Sequence, residues 1–485
     1  MPAGYHFRMT NEQNGNGVSA SRTARRTPRL VPQRGHDRIM MISLHGYVAA
    51  QPELGRVDTG GQVVYVLQLA ESLGRLGYRV DILTRRFERQ PAIEHLNDRV
   101  RVVRIPAGGP AFIPKERMCD VVPEWVSRAK DWIANHGLRY LFINSHYWDA
   151  GLAGDALRNA LGIPHLHTPH SIGAWKRDSM DGDPAELERL YNFRRRIRDE
   201  RAVYDRSDVL VATTPQQRDI LAGSDYEVPG GRIAVIPPGY DDTRFFPVSE
   251  ATREAIKRDL GLQGPVVLAL GRLAANKGYD LLLRSFPAVL RRVPDARLLL
   301  AIGAGDTDTT DEQGVAELRA LADELGITER VLFRDYITDE QLADHYRAAD
   351  AFALSSRYEP FGMTAVEAMA SGTPTVVTTN GGLAEMITWG VDALYEDPFD
   401  PEAFGHALMT VLAHPRVADQ LSRHGAMKAR AQFTWNGIAQ QLVAILDTAR
   451  YGMLRDPSLG VTAGGLAPGR LGLAPAAGIG ARTAW

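Results

Sequence analysis

Short apolar runs alternate along the chain with longer stretches in which apolar residues recur every three or four positions. IMMISL (39–44), an amphipathic stretch from Gln62, RVDILT (79–84), YLFINS (140–145) and DVLVAT (208–213) form a first series. A second begins at PVVLALG (265–271) and continues through ARLLLAIG (296–303), RVLFRD (330–335), DAFALSS (350–356) and TPTVVTT (373–379), with helical stretches between. Strands separated by helices read as βαβ units, and the crossover helix makes the strands run parallel. The pattern predicts an α/β protein of two Rossmann-like domains in tandem, each a doubly wound parallel sheet.

Between the two series lies VIPPGYDDTRFFP (235–247), whose Pro-Pro-Gly breaks regular structure after a strand and leads into a helix near Glu250. The junction is expected there, with an N-terminal domain over 37–245 and a C-terminal one over 246–432. Open α/β sheets bind ligands beyond the carboxyl ends of their strands, so the active site should draw on loops of both halves. Residues 1–36 are polar and Arg-rich, and 456–485 are Gly, Ala, Leu and Pro without helical period; both are expected to be disordered tails. Arg22, Arg25, Arg26, Arg29 and Arg34 raise the alternative of a nucleic-acid or targeting arm, which the absence of interleaved aromatics disfavours.

Charge and cysteine content narrow the classes. The 485 residues hold 56 Lys and Arg against 58 Asp and Glu, a net charge of -2, so no global field draws the chain to nucleic acid or membrane. Any anionic ligand must then be met by local basic groups. The one cysteine, Cys119, excludes an intramolecular disulfide framework and a cysteine-rich zinc site, and fits a reducing compartment. No apolar run reaches the roughly 18 residues of a spanning helix and no secretory apolar core opens the chain, so the expected location is the cytoplasm.

Three motifs carry candidate chemistry. Gly60-Gly61-Gln62 lies between the first strand and its helix, where backbone N–H groups and the positive helix end can approach a phosphate or sugar hydroxyl; the alternative is a tight helix entry only. At the start of the second domain, Arg272 and Lys277 occupy a loop after a strand, where they can neutralise a diphosphate as it becomes the leaving group; otherwise they are a solvated basic loop. In EPFGMTAVE, Glu359 lies at a strand's end and Glu367 about one turn into the next helix. Both carboxylates can face the same cleft and accept from pairs of sugar hydroxyls, the alternative being surface acids.

The segment His165-Leu166-His167-Thr168-Pro169-His170-Ser171 invites a metal reading, because alternate residues of an extended segment share a side. No carboxylate or cysteine accompanies it at recognisable spacing, and a polar cleft wall bonding sugar hydroxyls is favoured, with His165 or His167 as buried structural residues the other reading. Lys115 in FIPKE, Lys176 in AWKRD, and Arg194, Arg195 and Arg196 in YNFRRRIRDER form a basic constellation that would offset a phosphate on an incoming acceptor. Their alternative is a charged helix face paired with Asp199 and Glu200.

In chain order, HGYVAAQPELGRVDTGGQVVYVLQLA, FIPKE, HTPHSIGAWK, YNFRRRIRDER, VATTPQQ, IPPGYDDTRFFP, GRLAANKG and EPFGMTAVEAMASGTPTV resemble the motifs of retaining family 4 glycosyltransferases with a GT-B fold. Within that family the chain is most similar to the synthases that place a hexose on fructose 6-phosphate, and the resemblance runs from about Arg38 to Tyr451. It implies that Arg272 and Lys277 clamp the donor diphosphate, that Glu367 holds the nucleotide ribose, and that Glu359 with the Phe361 and Gly362 backbone holds the donor hexose. His170 would sit near the reacting sugar, and Gly61 with Gln62 near acceptor and diphosphate. Lys115, Ser171, Lys176 and the Arg194 to Arg196 cluster would grip the acceptor phosphate, with the choice among the arginines open. A helix within 433–455 would cross back to brace the first domain.

Retention in this fold is described as front-face transfer, the departing diphosphate taking the proton of the incoming hydroxyl, so the protein supplies positioning and charge stabilisation. The chemistry requires no cofactor; Mg or Mn dependence stays open, and Asp241 with Asp242 is read as shaping the junction. The implied acceptor is fructose 6-phosphate. The donor is GDP-mannose or, alternatively, UDP-glucose or another glucose nucleotide; the sugars differ only at C2, and no residue decides between them. No phosphatase-like segment follows, so a separate sugar phosphatase would act downstream. From another class, a non-catalytic nucleotide-sugar-binding protein is the alternative, against which the intact set of Arg272, Lys277, Glu359 and Glu367 argues.

Overall fold

Eight strands form the first sheet: β1 (Arg38–Ile42), β2 (Arg79–Arg86), β3 (Ile93–His95), β4 (Val100–Pro106), β5 (Ile143–His146), β6 (His165–Thr168), β7 (Val209–Ala212) and β8 (Ile233–Val235). Their order is β3-β4-β2-β1-β5-β6-β7-β8, and only β3 runs antiparallel to its neighbour. The computed structural model describes residues 37–51, 60–180, 182–302, 309–334 and 337–450, and both expected tails, 1–36 and 456–485, lie outside this set. The accompanying helices are α1 (Gly61–Arg75), α2 (Val122–Asn135), α3 (Trp148–Leu161), α4 (Gly173–Asp178), α5 (Pro184–Tyr191), α6 (Phe193–Arg206) and α7 (Pro215–Ala222).

The central strand shows why a run such as IMMI is apolar throughout. Successive side chains alternate faces: Ile39 and Met41 pack with the α1 residues Val66 and Leu69, while Met40 and Ile42 pack with Trp125 of α2 and Ala153 of α3. Both faces are covered by helices, so neither set of positions can be polar.

The second sheet holds β9 (Val266–Gly271), β10 (Arg297–Ile302), β11 (Val331–Arg334), β12 (Ala351–Leu354), β13 (Thr375–Thr378) and β14 (Leu394–Glu396), ordered β11-β10-β9-β12-β13-β14 and parallel throughout. Its helices are α8 (Glu250–Asp259), α9 (Tyr279–Leu290), α10 (Thr309–Glu324), α11 (Asp339–Ala348), α12 (Met363–Ala370), α13 (Pro401–Ala413), α14 (Pro415–Gln432) and α15 (Trp435–Arg450). Leu282 and Phe286 of α9 cover one face and Tyr346 of α11 with Ala365 of α12 the other.

After β8 the chain crosses between sheets. Asp241 makes a local turn, its carboxylate accepting from Thr243 N (3.0 Å) and Oγ1 (2.6 Å), and Ser249 caps α8 by accepting from Thr252 N (3.2 Å). The return crossing lies beside it: Tyr240 N donates to Phe433 O (2.7 Å), and a Cβ on Gly239 would come within 2.6 Å of the Trp435 ring. Helix α15 then packs on α1, with Trp435 edge-on to Tyr65 (5.0 Å) and Leu442 and Leu446 buried in the first core.

Candidate active site

At the carboxyl edge of the second sheet two loops are fused into one unit. Gly278 has φ +65°, and a Cβ there would sit 2.2 Å from Ser355 O, so only glycine lets the loop after β9 press its backbone on the end of β12. Ser355 Oγ bridges to the carbonyls of Lys277 (3.3 Å) and Gly278 (3.0 Å), Arg357 N donates to Asn276 O (2.8 Å), and the Arg357 guanidinium clasps Asp280 at 2.8 and 2.6 Å. This frame holds Lys277 Nζ 2.7 Å from Glu359 Oε2, an oxygen that also accepts from Ser356 Oγ (3.0 Å). Arg272 is exposed, and its guanidinium has no partner among the described residues.

Phe361 is buried edge-on to Phe433 (5.7 Å), and Gly362, at φ +102°, turns the chain into α12 under Leu354. Glu367 on that helix accepts from Tyr346 OH of α11 (2.9 Å). Loss of hydration pushes its carboxyl up to about 7, against the pull of the Tyr346 hydroxyl and Arg244.

On the facing edge, His170 follows β6 with φ +58°, an uncommon conformation for a side-chain-bearing residue. Gln217 Nε2 donates to its carbonyl (3.3 Å), its Nε2 lies 2.9 Å from His146 Nδ1, and Tyr65 stands edge-on to its ring (4.7 Å). Burial, with a lesser contribution from His45, lowers its pKa to about 3, so His170 is a neutral hydrogen-bonding group at neutral pH. Gln62 Nε2 lies 3.3 Å from Ser43 Oγ. Among the described residues, no atom comes within 4 Å of a Cβ built on Gly60 or Gly61.

The arginine triplet divides. Arg196 is buried: its Nε donates to Glu200 (2.7 Å), its Nη2 to Ser171 O (2.7 Å) and Oγ (3.2 Å), and its guanidinium lies over the Tyr147 ring (4.9 Å). Burial opposes its charge, yet Glu200 and Tyr147 hold its pKa above the ordinary value. Glu200 also accepts from Gly173 N (2.9 Å) and from Tyr226 OH, which ties α6 to the start of α4. Arg195 pairs with Asp120 (2.6 Å) and Asp199 (3.6 Å). Arg194 is exposed, and its engaged group is the backbone N–H, which donates to Glu188 (3.2 Å). The structure thus brings Arg196 to Ser171, while the pairing of Arg195 and Arg196 with Asp199 and Glu200 is present as well.

Lys176 lies on α4 with its Nζ 4.0 Å above the Tyr191 ring. Lys115 opens a 3₁₀ helix (Lys115–Asp120) whose approach loop is held by Arg85: the buried guanidinium donates to the carbonyls of Ala107 (3.0 Å), Gly109 (3.2 Å) and Ala111 (2.6 Å).

One expectation is corrected. His165 and His167 do not line a cleft: both rings are fully buried and share Ser145 Oγ, at 2.7 and 2.8 Å. They fill space left by glycines of α3, since a Cβ on Gly154 would lie 2.4 Å from the His165 ring and one on Gly151 2.8 Å from His167. Burial lowers both pKa values, His165 to about 3. Of the three histidines only His170 reaches the site.

Other residues at the site escaped the motif reading. The segment His146, Tyr147 and Asp149 supplies the partner of His170, the ring under Arg196 and a carboxylate 2.9 Å from His45 Nδ1. The signal was present: HYWD follows the run YLFINS, and the carboxyl end of a strand in such a sheet is where ligand residues gather. Tyr346, the partner of Glu367, sits in the last turn of α11 and left no such trace.

Two parallel sheets meeting at their carboxyl edges, with a Lys–Glu pair on one edge and a buried Arg, a neutral His and a Gly-Gly turn on the other, define a two-domain GT-B glycosyltransferase. Residues 60–239 match the glycosyl transferase 4-like domain and residues 252–428 the glycosyl transferases group 1 model, and the chain belongs to this family. It is 55% identical over 416 residues to a mannosylfructose-phosphate synthase of Agrobacterium fabrum, covering 85% of this chain and 91% of that one. A D-inositol 3-phosphate glycosyltransferase of Corynebacterium urealyticum is 35% identical, over 84% of this chain and 95% of its own. Among solved structures, a sucrose-phosphate synthase from Thermosynechococcus elongatus superposes with a TM-score of 0.73 at 30% identity, covering 86% of this chain and all of that one.

Proposed function

We propose that the protein transfers mannose, with retention, from GDP-mannose to fructose 6-phosphate, giving mannosylfructose-phosphate. The supporting observation is the 55% identity to a mannosylfructose-phosphate synthase over most of both chains. The names of all three relatives carry a phosphate, which agrees with the basic groups of the N-terminal half. In this reading Arg196, Ser171, Lys176 and Lys115 meet the acceptor phosphate, with Arg194 at the rim, and Gly61 with Gln62 receives the acceptor sugar. Arg272 and Lys277 stabilise the departing GDP, Glu359 and the backbone of Phe361 and Gly362 hold mannose, Glu367 takes the ribose, and His170 donates or accepts at the reacting sugar. The diphosphate accepts the acceptor's proton, so no protein base is required.

A glucose nucleotide as donor is the second reading, favoured by the likeness to a sucrose-phosphate synthase. No described helix is long and apolar enough to cross a membrane. The proposed setting is the cytoplasm, with a separate sugar phosphatase removing the phosphate afterwards. The purified protein, given fructose 6-phosphate and in parallel GDP-mannose, UDP-glucose, ADP-glucose and GDP-glucose, tests both readings. Product from GDP-mannose alone supports the first, product from a glucose nucleotide the second, and no product with any donor removes the acceptor assignment.

A further inference from the structure

One aromatic pair joins the two halves of the site. Trp175 of α4 and Tyr358 of the loop after β12 meet edge to face, ring centroids 4.7 Å apart and planes at 87°. Each ring adjoins a residue of the proposed site, Trp175 preceding Lys176 and Tyr358 preceding Glu359.

Neither ring hangs on a loose segment. Glu200 holds Gly173 N (2.9 Å) and Tyr226 OH accepts from Ala174 N (3.1 Å), so the turn carrying Trp175 is fastened to the first domain. On the other side Asn276 Nδ2 donates to Tyr358 O (3.3 Å), Arg357 is clasped by Asp280, and Glu359 N donates to Asn380 O (3.0 Å). Both rings are half-buried, and through their contact α4 meets the loop that carries Glu359.

We propose that Trp175 and Tyr358 are a positioning pair that sets how the donor divides between acceptor and water. This rests on the reading of α4 as the acceptor-phosphate edge. In transfer, the bond from the anomeric carbon to the diphosphate oxygen breaks, a bond to the acceptor's hydroxyl oxygen forms, and that hydroxyl's proton passes to the diphosphate. With water in the acceptor's place the same bond breaks and the products are free hexose and the nucleoside diphosphate. The pair touches none of these atoms; it holds Lys176 and Glu359 in register and keeps bulk water from the gap between them.

The test compares wild type, Trp175→Ala, Trp175→Phe, Tyr358→Leu and the Trp175→Ala/Tyr358→Leu double variant, with GDP-mannose in the presence and absence of fructose 6-phosphate. The readouts are the ratio of free mannose to disaccharide phosphate and the affinity for GDP. Trp175→Ala and Tyr358→Leu should each raise the ratio about two- to tenfold, the factor corresponding to loss of one aromatic pair. Trp175→Phe should stay near wild type, the double variant should match the larger single effect, and GDP affinity of Trp175→Ala should be unchanged. An unaltered ratio in Trp175→Ala, or effects that multiply in the double variant, would overturn the proposal. Absence of acceptor-dependent product in the wild type would instead remove the acceptor assignment on which it rests, and the same assay reads that before any variant is considered.

Discussion

Lys277 Nζ lies 2.7 Å from Glu359 Oε2, so the proposed diphosphate cation and the proposed hexose carboxylate hold each other before any donor arrives. Glu359 is buried and Lys277 half-buried, and the contact between them keeps both side chains aimed.

Lys277→Ala should therefore do two things. Turnover should fall by about 100-fold or more, since a clamp on the leaving group acts mainly in the transition state. Glu359 should also lose its counter-charge, keeping Ser356 Oγ, so a modest fall in melting temperature is expected. Near-normal kcat with a lowered melting temperature would leave Lys277 a purely structural partner of Glu359.

The buried pair of Arg196 and Glu200 calls for a different substitution. Arg196→Ala strands a carboxylate that is fully buried, a change of about 3–5 kcal/mol in stability. Arg196→Lys keeps the charge but cannot span both Glu200 and Ser171 as the guanidinium does. It should fold and show a KM for fructose 6-phosphate raised about tenfold, with the donor KM little changed. Equal change in both constants would mean that Arg196 acts through the fold alone.

Lys115→Ala should likewise raise the acceptor KM chiefly. Arg85 fixes the approach loop through three carbonyls, so the loss of one side chain should leave the loop in place. An unchanged acceptor KM in steady-state assays would take Lys115 out of the acceptor site.

Glu367 gives a pH dependence. Its carboxyl titrates near 7 in the folded protein, and the proposed ribose contact uses it as an acceptor, so the donor KM should rise as pH falls below about 7. Stability should move oppositely: a carboxyl whose folded pKa is raised binds its proton more tightly in the native state, so its contribution is full below the unfolded value and is lost as pH rises through 7. Glu367→Gln should flatten both profiles. Parallel profiles for variant and wild type would assign the pH dependence to another group.

The two sheets were legible because strands covered by helices on both faces are mostly apolar, as IMMI and PVVLALG are, whereas β3, β4 and β14 fell outside the two series. Lys277, Glu359 and His170 stood out because they lie just beyond such runs, at the carboxyl ends of strands where ligand residues gather in an open α/β sheet. The burial of Arg196 was not, because a helical pattern of three arginines does not say which faces the core until α3, α4 and Glu200 are in place. His165 and His167 misled for the same reason: the complementary feature, the glycine pair Gly151 and Gly154, lies on a separate helix.

Glycine at 61 separates ligand from fold. A Cβ there meets no atom of the described residues within 4 Å, and alanine is the better helix former at the start of α1, so Gly61→Ala should leave the melting temperature equal or slightly higher. The Gly-Gly turn is the proposed seat of acceptor and diphosphate, so the same methyl should cut kcat/KM about tenfold or more. Gly278→Ala is the opposite case: its Cβ would lie 2.2 Å from Ser355 O at a positive φ, and that variant should lose stability as well as activity. Thermal melts beside kinetics decide it. If Gly61→Ala works at the wild-type rate, no ligand closes on that turn, and Gly61 is only the entry to a helix.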